Sequence, residues 1–409
     1  MFVDLSGGDY KELPAPIPPG ILAELAGLRR RSALEASPLY GEHAHRIRAL
    51  TEALVSGRPE VPAARPERSF LRVASWNLAR GRHLDATIRW MLDDPEFATL
   101  DALLLCEVDV GMARSGNRNV PAEIAAALGF EWVFGNSYLC LNHGDFRDGE
   151  QALGNTLGMH GNAVLSRYPI RAASNCSIHV TRDKFESKSE PRLGHKKALC
   201  VDVETPLGVI SLVTTHLDSV ATCRQREAQM EDILAAVKGR ERVLIGGDFN
   251  ATTFDVGGAK TALSVGGKVM RGGIGHIFHH YLHPYERYEK GLFDRLEEHG
   301  FAWRNFNDLS RETFRYDLHC PHSVSEMREH VPEMLVRLAQ RLTAKWGGKA
   351  RGRLDWMAGR GLSALGAGDG CDGDGDGRIA HRPRVRPVPR PDGVALSDHD
   401  ILLADIVLD

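Results

Sequence analysis

Polar residues stand at the ends of short apolar segments throughout the chain from Phe70 onward. These segments have the length and composition of buried strands, and they alternate with turns and helical segments. Strands are predicted at 70–78, 101–108, 161–170, 197–205, 208–217 and 242–250 and in the C-terminal DHDILLADIVL, and helices near 87–92, 121–128 and 222–237. Such a mixture of antiparallel strand pairs and flanking helices predicts one sheet packed on another and covered by helices.

The polar residues at these strand ends are carboxylates, amides and imidazoles. They are Asn77, Glu107, His216, Asp248, Asn250, Asp355, Asp398 and His399. Any one of them could be a cap or turn residue, but catalytic groups also cluster in the loops at strand ends. Four carboxylates in one cleft would repel one another, so a cation must compensate. Carboxylate and amide oxygens suit Mg²⁺ or Mn²⁺, with water and a substrate phosphate completing the shell. The pattern therefore predicts phosphoryl chemistry.

Seven motifs occur along the chain in a recognisable order: SWNL, LCEVD, GNAVLSRYPI, TTHLDS, GGDFNA, RLDWM and SDHD. In this order the sequence from Arg72 to Asp409, with one interruption, resembles the endonuclease/exonuclease/phosphatase superfamily. That superfamily includes abasic-site endonucleases, inositol polyphosphate 5-phosphatases, neutral sphingomyelinases and deadenylases. The resemblance implies the DNase I-like fold, a four-layer α/β/β/α sandwich with two mainly antiparallel sheets.

The resemblance also implies a metal site and a substrate site. Glu107 is expected to bind the catalytic Mg²⁺ (or Mn²⁺), with Asn77 beside it supporting the metal or the phosphate. Asp398 is expected at the metal or at a second metal position. Asn162, in GNAVLSR, is expected to line the substrate site.

The remaining motif residues are implied to carry the catalytic step. Asp248 is expected to position or deprotonate the attacking water, and Asn250 to hold a phosphate oxygen. His399 is expected to contact the scissile phosphate, with Asp355 accepting a hydrogen bond from its imidazole and keeping it cationic. His216 takes the place where family members put a His or Tyr beside the phosphate. A metal and an imidazolium are the groups that in-line attack on a phosphodiester requires.

The predicted activity is metal-dependent hydrolysis of a phosphoester, first of all a diester, with nucleic acid as the first substrate class. A phospholipid headgroup is the main alternative, because TTHL resembles sphingomyelinase sequences. A small-molecule phosphomonoester and a catalytically inactive member that binds a phosphorylated partner also stay open. The formal net charge of −3, from 51 basic and 54 acidic residues, excludes nucleic-acid binding through bulk positive charge but not through a local basic groove.

The domain organisation is predicted from a change near residue 70, where short apolar strands begin to alternate with turns and helices. Residues 1–70 are predicted to be an N-terminal helical appendage and linker, and 71–409 the catalytic domain. An insertion at about 254–350 interrupts the strand rhythm directly after the GDFN strand. It contains a predicted amphipathic helix over 325–346. Because it follows a catalytic loop, the insertion is expected to overhang the cleft.

Other patterns compete with this interpretation. The stretch GHIFHHYLHP places His276, His279, His280 and His283 at helical spacing, which makes a zinc hydrolase a third hypothesis. The segment 368–378 superficially resembles the start of a calcium-binding loop, but Pro383 stands where its last ligand would be. Two basic stretches, 182–197 and 378–391, could contact a polyanion, although a solvated loop is the simpler interpretation of each.

The cysteine pattern and the hydropathy favour a cytoplasmic protein. The seven cysteines are odd in number and widely spaced, without a Cys-x-x-Cys, which predicts a reducing compartment. The N-terminus has neither the basic start nor the apolar core of a signal peptide. No run of about 18 apolar residues is present, so no transmembrane segment is predicted.

Overall fold

Seventeen strands and eight α-helices form the described part of the protein in the computed structural model. The structure describes residues 2–7, 11–144, 148, 153–251, 279–319, 324, 333–344, 347–366 and 381–409. The strands are β1 Val3–Asp4, β2 Leu54–Gly57, β3 Leu71–Arg80, β4 Ala102–Val110, β5 Glu131–Cys140, β6 Met159–Ser166, β7 Ile170–Ser177, β8 Arg192–Gly194, β9 Lys197–Thr205, β10 Gly208–His216, β11 Val243–Asp248, β12 Phe314–Asp317, β13 Lys349–Gly352, β14 Asp355–Arg360, β15 Leu362–Ala364, β16 Arg384–Arg386 and β17 Ile401–Leu408. The helices are α1 Pro19–Gly27, α2 Arg31–Glu35, α3 Pro38–Thr51, α4 Leu84–Asp93, α5 Val120–Leu128, α6 Cys223–Ala236, α7 Lys290–Glu298 and α8 Glu333–Thr343.

Two large sheets organise the strands. A six-stranded sheet has the order β1-β7-β9-β10-β11-β14, and a nine-stranded sheet has the order β15-β17-β3-β4-β6-β5-β2, with β16 beside β17 and β8 beside β5. The strands β12 and β13 form a separate pair. Neighbouring strands run antiparallel except in the pairs β3–β4 and β10–β11. The prediction of two mainly antiparallel sheets is therefore confirmed.

The apolar side chains define four layers. One core lies between the sheets, where Leu104 and Val164 of one sheet and Leu199 and Leu212 of the other belong to the same buried cluster. On the outer face of the nine-stranded sheet, a second core includes apolar residues from α1, α3, α4 and α5. A third core joins the six-stranded sheet to α6 and α7. Burying one face of each sheet against the other and the second against helices gives the expected α/β/β/α sandwich.

The predicted strands are present, with shifted ends and one correction. The segment 161–170 is not a single strand: β6 ends at Ser166, and β7 begins at Ile170 in the other sheet. Pro169 lies in the break, where a residue without an N–H costs no ladder hydrogen bond. The strand β7 was not predicted as a separate element, and the strands not predicted at all are β1, β2, β5, β8, β12, β13, β14, β15 and β16. Of the predicted helix over 325–346, the structure describes α8, and most of its N-terminal part lies outside the described residues.

Residues 1–70 contain α1, α2 and α3, in line with the predicted helical character. They also contain β1, which pairs with β7, and β2, which pairs with β5, so this segment adds a strand to each large sheet. The described part of the insertion packs on the catalytic sandwich through α7, where the buried Arg226 Nε of α6 lies 3.1 Å from Glu289 Oε1. The division of the chain at residue 70 stays a prediction.

None of the helices in the described ranges combines the length and apolarity needed to cross a membrane.

Candidate active site

Three of the predicted site residues lie in one row across the six-stranded sheet. In the strand register His216 of β10 pairs with Asp248 of β11, and Asp248 pairs with Asp355 of β14. Directly opposed residues on neighbouring strands share a face of the sheet. Their side chains therefore project together, and Asn77 reaches them from β3 of the facing sheet, where its Nδ2 donates a hydrogen bond of 3.1 Å to Asp248 Oδ2. The site lies between the two sheets at one end of the strands.

A buried chain of side chains runs from Asp355 through His399 to Asp248. The His399 Nδ1 lies 2.8 Å from Asp355 Oδ2, and its Nε2 lies 3.8 Å from Asp248 Oδ2. Because a carboxylate can only accept, the Nδ1–H donates to Asp355. Burial disfavours the imidazolium, but Asp355 and Asp248 outweigh it and raise the pKa of His399 well above its usual value. His399 is therefore cationic at neutral pH.

The main chain around His399 is also held. Trp76 Nε1 donates a hydrogen bond of 3.0 Å to the His399 carbonyl. Ser397 Oγ accepts from the His399 N–H at 3.1 Å and donates to the Asn77 carbonyl at 2.6 Å. These contacts tie the loop before β17 to β3, so the imidazole is preorganised against the row of carboxylates.

Asp248 is the centre of the hydrogen-bond network. Its Oδ1 accepts from the Asn250 N–H at 2.9 Å, and its Oδ2 lies 3.4 Å from His216 Nε2. Burial raises the pKa of Asp248 above its usual value against the opposing effect of the two histidines. Asn250 has a left-handed φ of 49°, and its Nδ2 donates to the Leu217 carbonyl at 2.9 Å. The GDFN turn therefore folds back over the carboxylate.

Glu107 reaches the site through an irregularity in β4. Leu105, two residues earlier, packs in the core on the helix side, and a regular strand would turn Glu107 to the same side. The pairing of β4 with β6 shifts between Leu105 and Val108, and Glu107 has a φ of 52°. Such a bulge re-aims a side chain, and bulges of this kind recur beside active sites. The Glu107 Oε1 consequently lies 3.5 Å from His216 Nδ1.

The charges around Glu107 and His216 are strongly coupled. Burial alone would raise the pKa of Glu107, but His216, His160 and nearby cations hold it well below its usual value. Burial, together with the positive charge of Lys196, lowers the pKa of His216 to about 4. At neutral pH the site thus contains a neutral His216, a cationic His399 and an ionised Glu107.

Two predicted residues lie at the edge of this arrangement. Asn162 is buried on β6, and its Nδ2 donates to the Lys197 carbonyl at 2.9 Å. Asp398 is exposed, and its negative charge contributes to the raised pKa of His399. The roles expected for these two residues stay predictions, as do those of the other site residues.

The donor atoms fit a hard divalent cation. Among the described residues, one group of metal-ligating side chains has its ligand atoms within 4.8 Å of one another, namely Asp248, Asp355 and His399. This group differs from the predicted set of Glu107, Asn77 and Asp398. The Asp355 Oδ1 is buried and has no hydrogen-bond partner within the described part of the chain. The Glu107 carboxylate is partly exposed. Carboxylate oxygens such as those of Asp355 and Glu107 suit Mg²⁺ or Mn²⁺.

A second Asp–His pair, which the sequence patterns do not predict, lies beside the site. The His160 Nδ1 lies 2.7 Å from Asp109 Oδ1, and Arg114 contacts the same carboxylate at 2.7 and 2.9 Å. Although burial opposes ionisation, Arg114 and His160 lower the pKa of Asp109 to about 2. Both residues could have been found from their neighbours in the sequence, because Asp109 is the last residue of the LCEVD motif and His160 directly precedes GNAVLSR.

The insertion also contributes to the wall of the site. The ring of Phe314, at the start of β12, lies 4.8 Å from the His399 ring, centroid to centroid. The preceding Thr313 accepts hydrogen bonds at its Oγ1 from the Leu354 and Asp355 N–H groups at 3.0 and 3.1 Å. The described part of the insertion therefore reaches the Asp355–His399 pair, and its position over the cleft stays a prediction.

The competing patterns have structural partners where they are described. Arg384 and Arg386 pair with Glu96 and Asp94 at the end of α4, at distances such as 2.6 Å for Arg386–Asp94. His279 Nε2 lies 2.8 Å from Glu286 Oε2, and His283 Nδ1 lies 3.0 Å from Tyr285 Oη. No group of three metal-ligating side chains is found there among the described residues. His276 and the segment 368–378 lie outside the described residues.

The two-sheet sandwich, with a cluster of carboxylates and histidines at its strand ends, has the architecture of the DNase I-like fold. Residues 74–263 match the model of the Endonuclease/Exonuclease/phosphatase family. The resemblance to this superfamily, which the order of the motifs predicts, is confirmed over these residues. No curated protein matches the sequence significantly.

Several solved structures are similar to the chain. An endonuclease/exonuclease/phosphatase from Beutenbergia cavernae has 17% sequence identity and a TM-score of 0.46, with 83% of this chain and 72% of that chain covered. The human Nocturnin catalytic domain with bound sulfate has 15% identity and a TM-score of 0.42, covering 88% and 97%. A 3′-5′ exonuclease from Neisseria meningitidis has 11% identity and a TM-score of 0.43, covering 82% and 100%. None of these similarities bears on the substrate.

Proposed function

We propose that the protein is a Mg²⁺- or Mn²⁺-dependent phosphoesterase that hydrolyses a phosphodiester by in-line attack of water. The observation that carries the proposal is the buried chain Asp355–His399–Asp248, with Glu107 and His216 beside it. It combines an imidazolium, a carboxylate of raised pKa and a carboxylate of lowered pKa in one cleft. These are the groups that water activation and phosphate charge stabilisation require.

Each residue has a task that follows from its surroundings. Asp248 is held by the Asn77 amide and the Asn250 N–H, and it orients the attacking water and accepts its proton. The His399 Nε2–H donates to a phosphate oxygen on which negative charge develops. Asp355 keeps that imidazole cationic and fixes which nitrogen faces the substrate. The neutral His216, which lies between Glu107 and Asp248, is a hydrogen-bond partner for the phosphate.

The metal is proposed at the carboxylate side of the cleft. Glu107 would hold it, with Asn77 next to it and Asp398 at the rim as the outer contributor. When bound, a divalent cation withdraws charge from the phosphate oxygens and lowers the pKa of its water. The partly exposed Glu107 carboxylate and its lowered pKa support this assignment, because an ionised oxygen ligand is what such a cation needs.

Nucleic acid is the proposed substrate class, and a cytoplasmic location is proposed from the cysteine pattern. The family includes endonucleases and exonucleases as well as phosphatases. A phospholipid headgroup is the alternative that a substrate panel must separate. The panel comprises single- and double-stranded DNA, RNA, sphingomyelin, phosphoinositides and sugar phosphates, each with Mg²⁺ and with Mn²⁺.

The test of the reaction type is release of nitrophenol from bis(p-nitrophenyl) phosphate. The wild-type protein should release it with Mg²⁺ or Mn²⁺ and not in EDTA. Asp248→Ala should lose at least about a hundredfold in kcat, whereas Asp93→Ala, which removes an exposed carboxylate at the end of α4, should match the wild type. Absence of turnover with either metal, or full activity of Asp248→Ala, would contradict the proposal and favour an inactive binding member of the family.

A further inference from the structure

A lysine that has no direct partner among the described residues lies at the end of the sheet that carries the candidate site. Lys196 immediately precedes β9, and Ile178 N–H donates a hydrogen bond of 3.4 Å to its carbonyl. In the pairing of β9 with β10, Ala198 lies opposite Thr215. Lys196 is therefore placed at the end of the sheet where His216 enters the site.

The positive charge of Lys196 acts on the ionisable groups of the site. Its ammonium interacts with the carboxylates of Asp218, Glu107 and Asp248, and it contributes to the lowered pKa values of Glu107 and His216. Even so, its ammonium forms no direct hydrogen bond or ion pair with any residue that the structure describes. Lys196 therefore interacts electrostatically with the candidate site but forms no ion pair with any one of these carboxylates.

Two other lysines in this region, by contrast, have direct structural partners. Lys197 is fully buried, with its Nζ 2.7 Å from the Thr51 carbonyl and 2.9 Å from Glu52 Oε2. Lys184 Nζ lies 3.5 Å from Asp218 Oδ1. That carboxylate also accepts hydrogen bonds from Thr181 and from the Val220 N–H, so its oxygens are already satisfied.

Holding Lys196 in place is costly without a hydrogen-bonded partner for its ammonium. The side chain is partly buried, and burial lowers its pKa to about 8 against the favourable effect of Asp218 and Glu107. A desolvated charge without a hydrogen-bonded partner is unfavourable, and proteins normally pair such charges. A phosphate in the cleft between Glu107 and Asp248 would supply the missing hydrogen-bond acceptor, and an ammonium is a compact donor for a phosphate oxygen.

We propose that the Lys196 ammonium binds a non-bridging phosphate oxygen of the substrate and so determines which phosphoesters the site accepts. This inference rests on the proposed function, because it places the phosphate in the cleft of Asp248 and His399. The shared chemistry is an anionic phosphate oxygen. It belongs either to the scissile phosphate itself or to an adjacent phosphate of a polynucleotide.

The test compares Lys196→Met, Lys196→Arg and Lys188→Met in the full-length chain. Lys188 is an exposed lysine of the same segment and serves as the matched control. Loss of one charge-assisted hydrogen bond should raise KM about 10- to 100-fold in Lys196→Met, with a smaller change in kcat. Lys196→Arg should recover most of the loss, and Lys188→Met should behave as wild type.

Two substrates locate the contact. A rise in KM for both bis(p-nitrophenyl) phosphate and a short oligonucleotide assigns Lys196 to the scissile phosphate. A rise for the oligonucleotide alone assigns it to the adjacent phosphate. A KM unchanged for both substrates overturns the proposal, as does a fall in kcat alone, which is what a mere counter-charge for Glu107 predicts.

A binding measurement separates this proposal from the proposed function. Inorganic phosphate in EDTA should raise the Tm of the wild-type protein and of Lys188→Met but not of Lys196→Met. If the wild type shows this shift and hydrolyses nothing, the phosphate contact stands while the enzymatic proposal fails. An equal shift in Lys196→Met, or no shift in the wild type, overturns the assignment of Lys196.

Discussion

Replacing Asp355 with Asn should uncouple His399 from its charge while leaving the shape of the site intact. The substituted amide is isosteric with the carboxylate, and the Asp355 N–H keeps its hydrogen bond to Thr313 Oγ1. What is lost is a buried, charge-assisted hydrogen bond of 2.8 Å to His399 Nδ1. Such a bond contributes about 1.5–3 kcal/mol. If all of it acts in the transition state, kcat falls about 10- to 150-fold.

The pH profile gives a second readout of the same change. Asp355 is the largest of the carboxylate effects that raise the pKa of His399. A raised pKa keeps the imidazolium present as the pH rises, so removing the carboxylate should move the alkaline fall of kcat to lower pH. The assay is nitrophenol release from bis(p-nitrophenyl) phosphate at saturating Mg²⁺ over a range of pH, with the exposed Asp93→Asn as the control. A kcat within about threefold of the wild type, together with an unmoved alkaline limb, would refute the role assigned to this pair.

Three further substitutions test the supports of the site and the fold. Trp76→Phe removes the indole N–H that donates to the His399 carbonyl, and it should lower stability by about 1–3 kcal/mol in urea unfolding and reduce kcat less than Asp355→Asn does. Arg72→Met removes both guanidinium contacts, of 2.8 and 2.7 Å, from the buried Asp405 carboxylate, which keeps its contact with His381, and it should cost about 3–5 kcal/mol in the same measurement. Despite burial, three arginines hold the pKa of Glu190 well below its usual value. The contribution of ionised Glu190 to the stability of the fold is therefore fully present above the unfolded pKa of about 4.3, and it is lost as the pH falls through the pKa of the folded state. Glu190→Gln should therefore be less stable at pH 7 by about 3 kcal/mol, and the difference should shrink below about pH 4.

The sequence indicates the sandwich because its strands are apolar, short and bounded by polar ends. The row of His216, Asp248 and Asp355 could be anticipated for the same reason, since residues at strand ends meet at one edge of a sheet. The position of Glu107 could not be derived from alternation, which turns it toward the helices. A bulge with a left-handed φ brings it into the site, and bulges leave no reliable mark in a single sequence.

Long-range contacts are the other part that the sequence does not specify. The contact of Phe314 with His399 joins residues 85 positions apart across an insertion of irregular sequence. The pairing of Arg386 with Asp94 turns an apparent polyanion-binding arginine into a structural ion pair. Charge alone cannot distinguish the two outcomes, because the partner is decided by how the layers pack.

The most direct test of the account is hydrolysis in ¹⁸O-labelled water with Mg²⁺, followed by mass spectrometry of the products. Attack of water on phosphorus, oriented by Asp248, predicts one labelled oxygen in the phosphate product and none in the released alcohol. The same label should be absent with Asp248→Ala, because that variant should form no product in the time of the assay. Label in the alcohol, or labelled phosphate formed equally fast by Asp248→Ala, would contradict the proposed reaction.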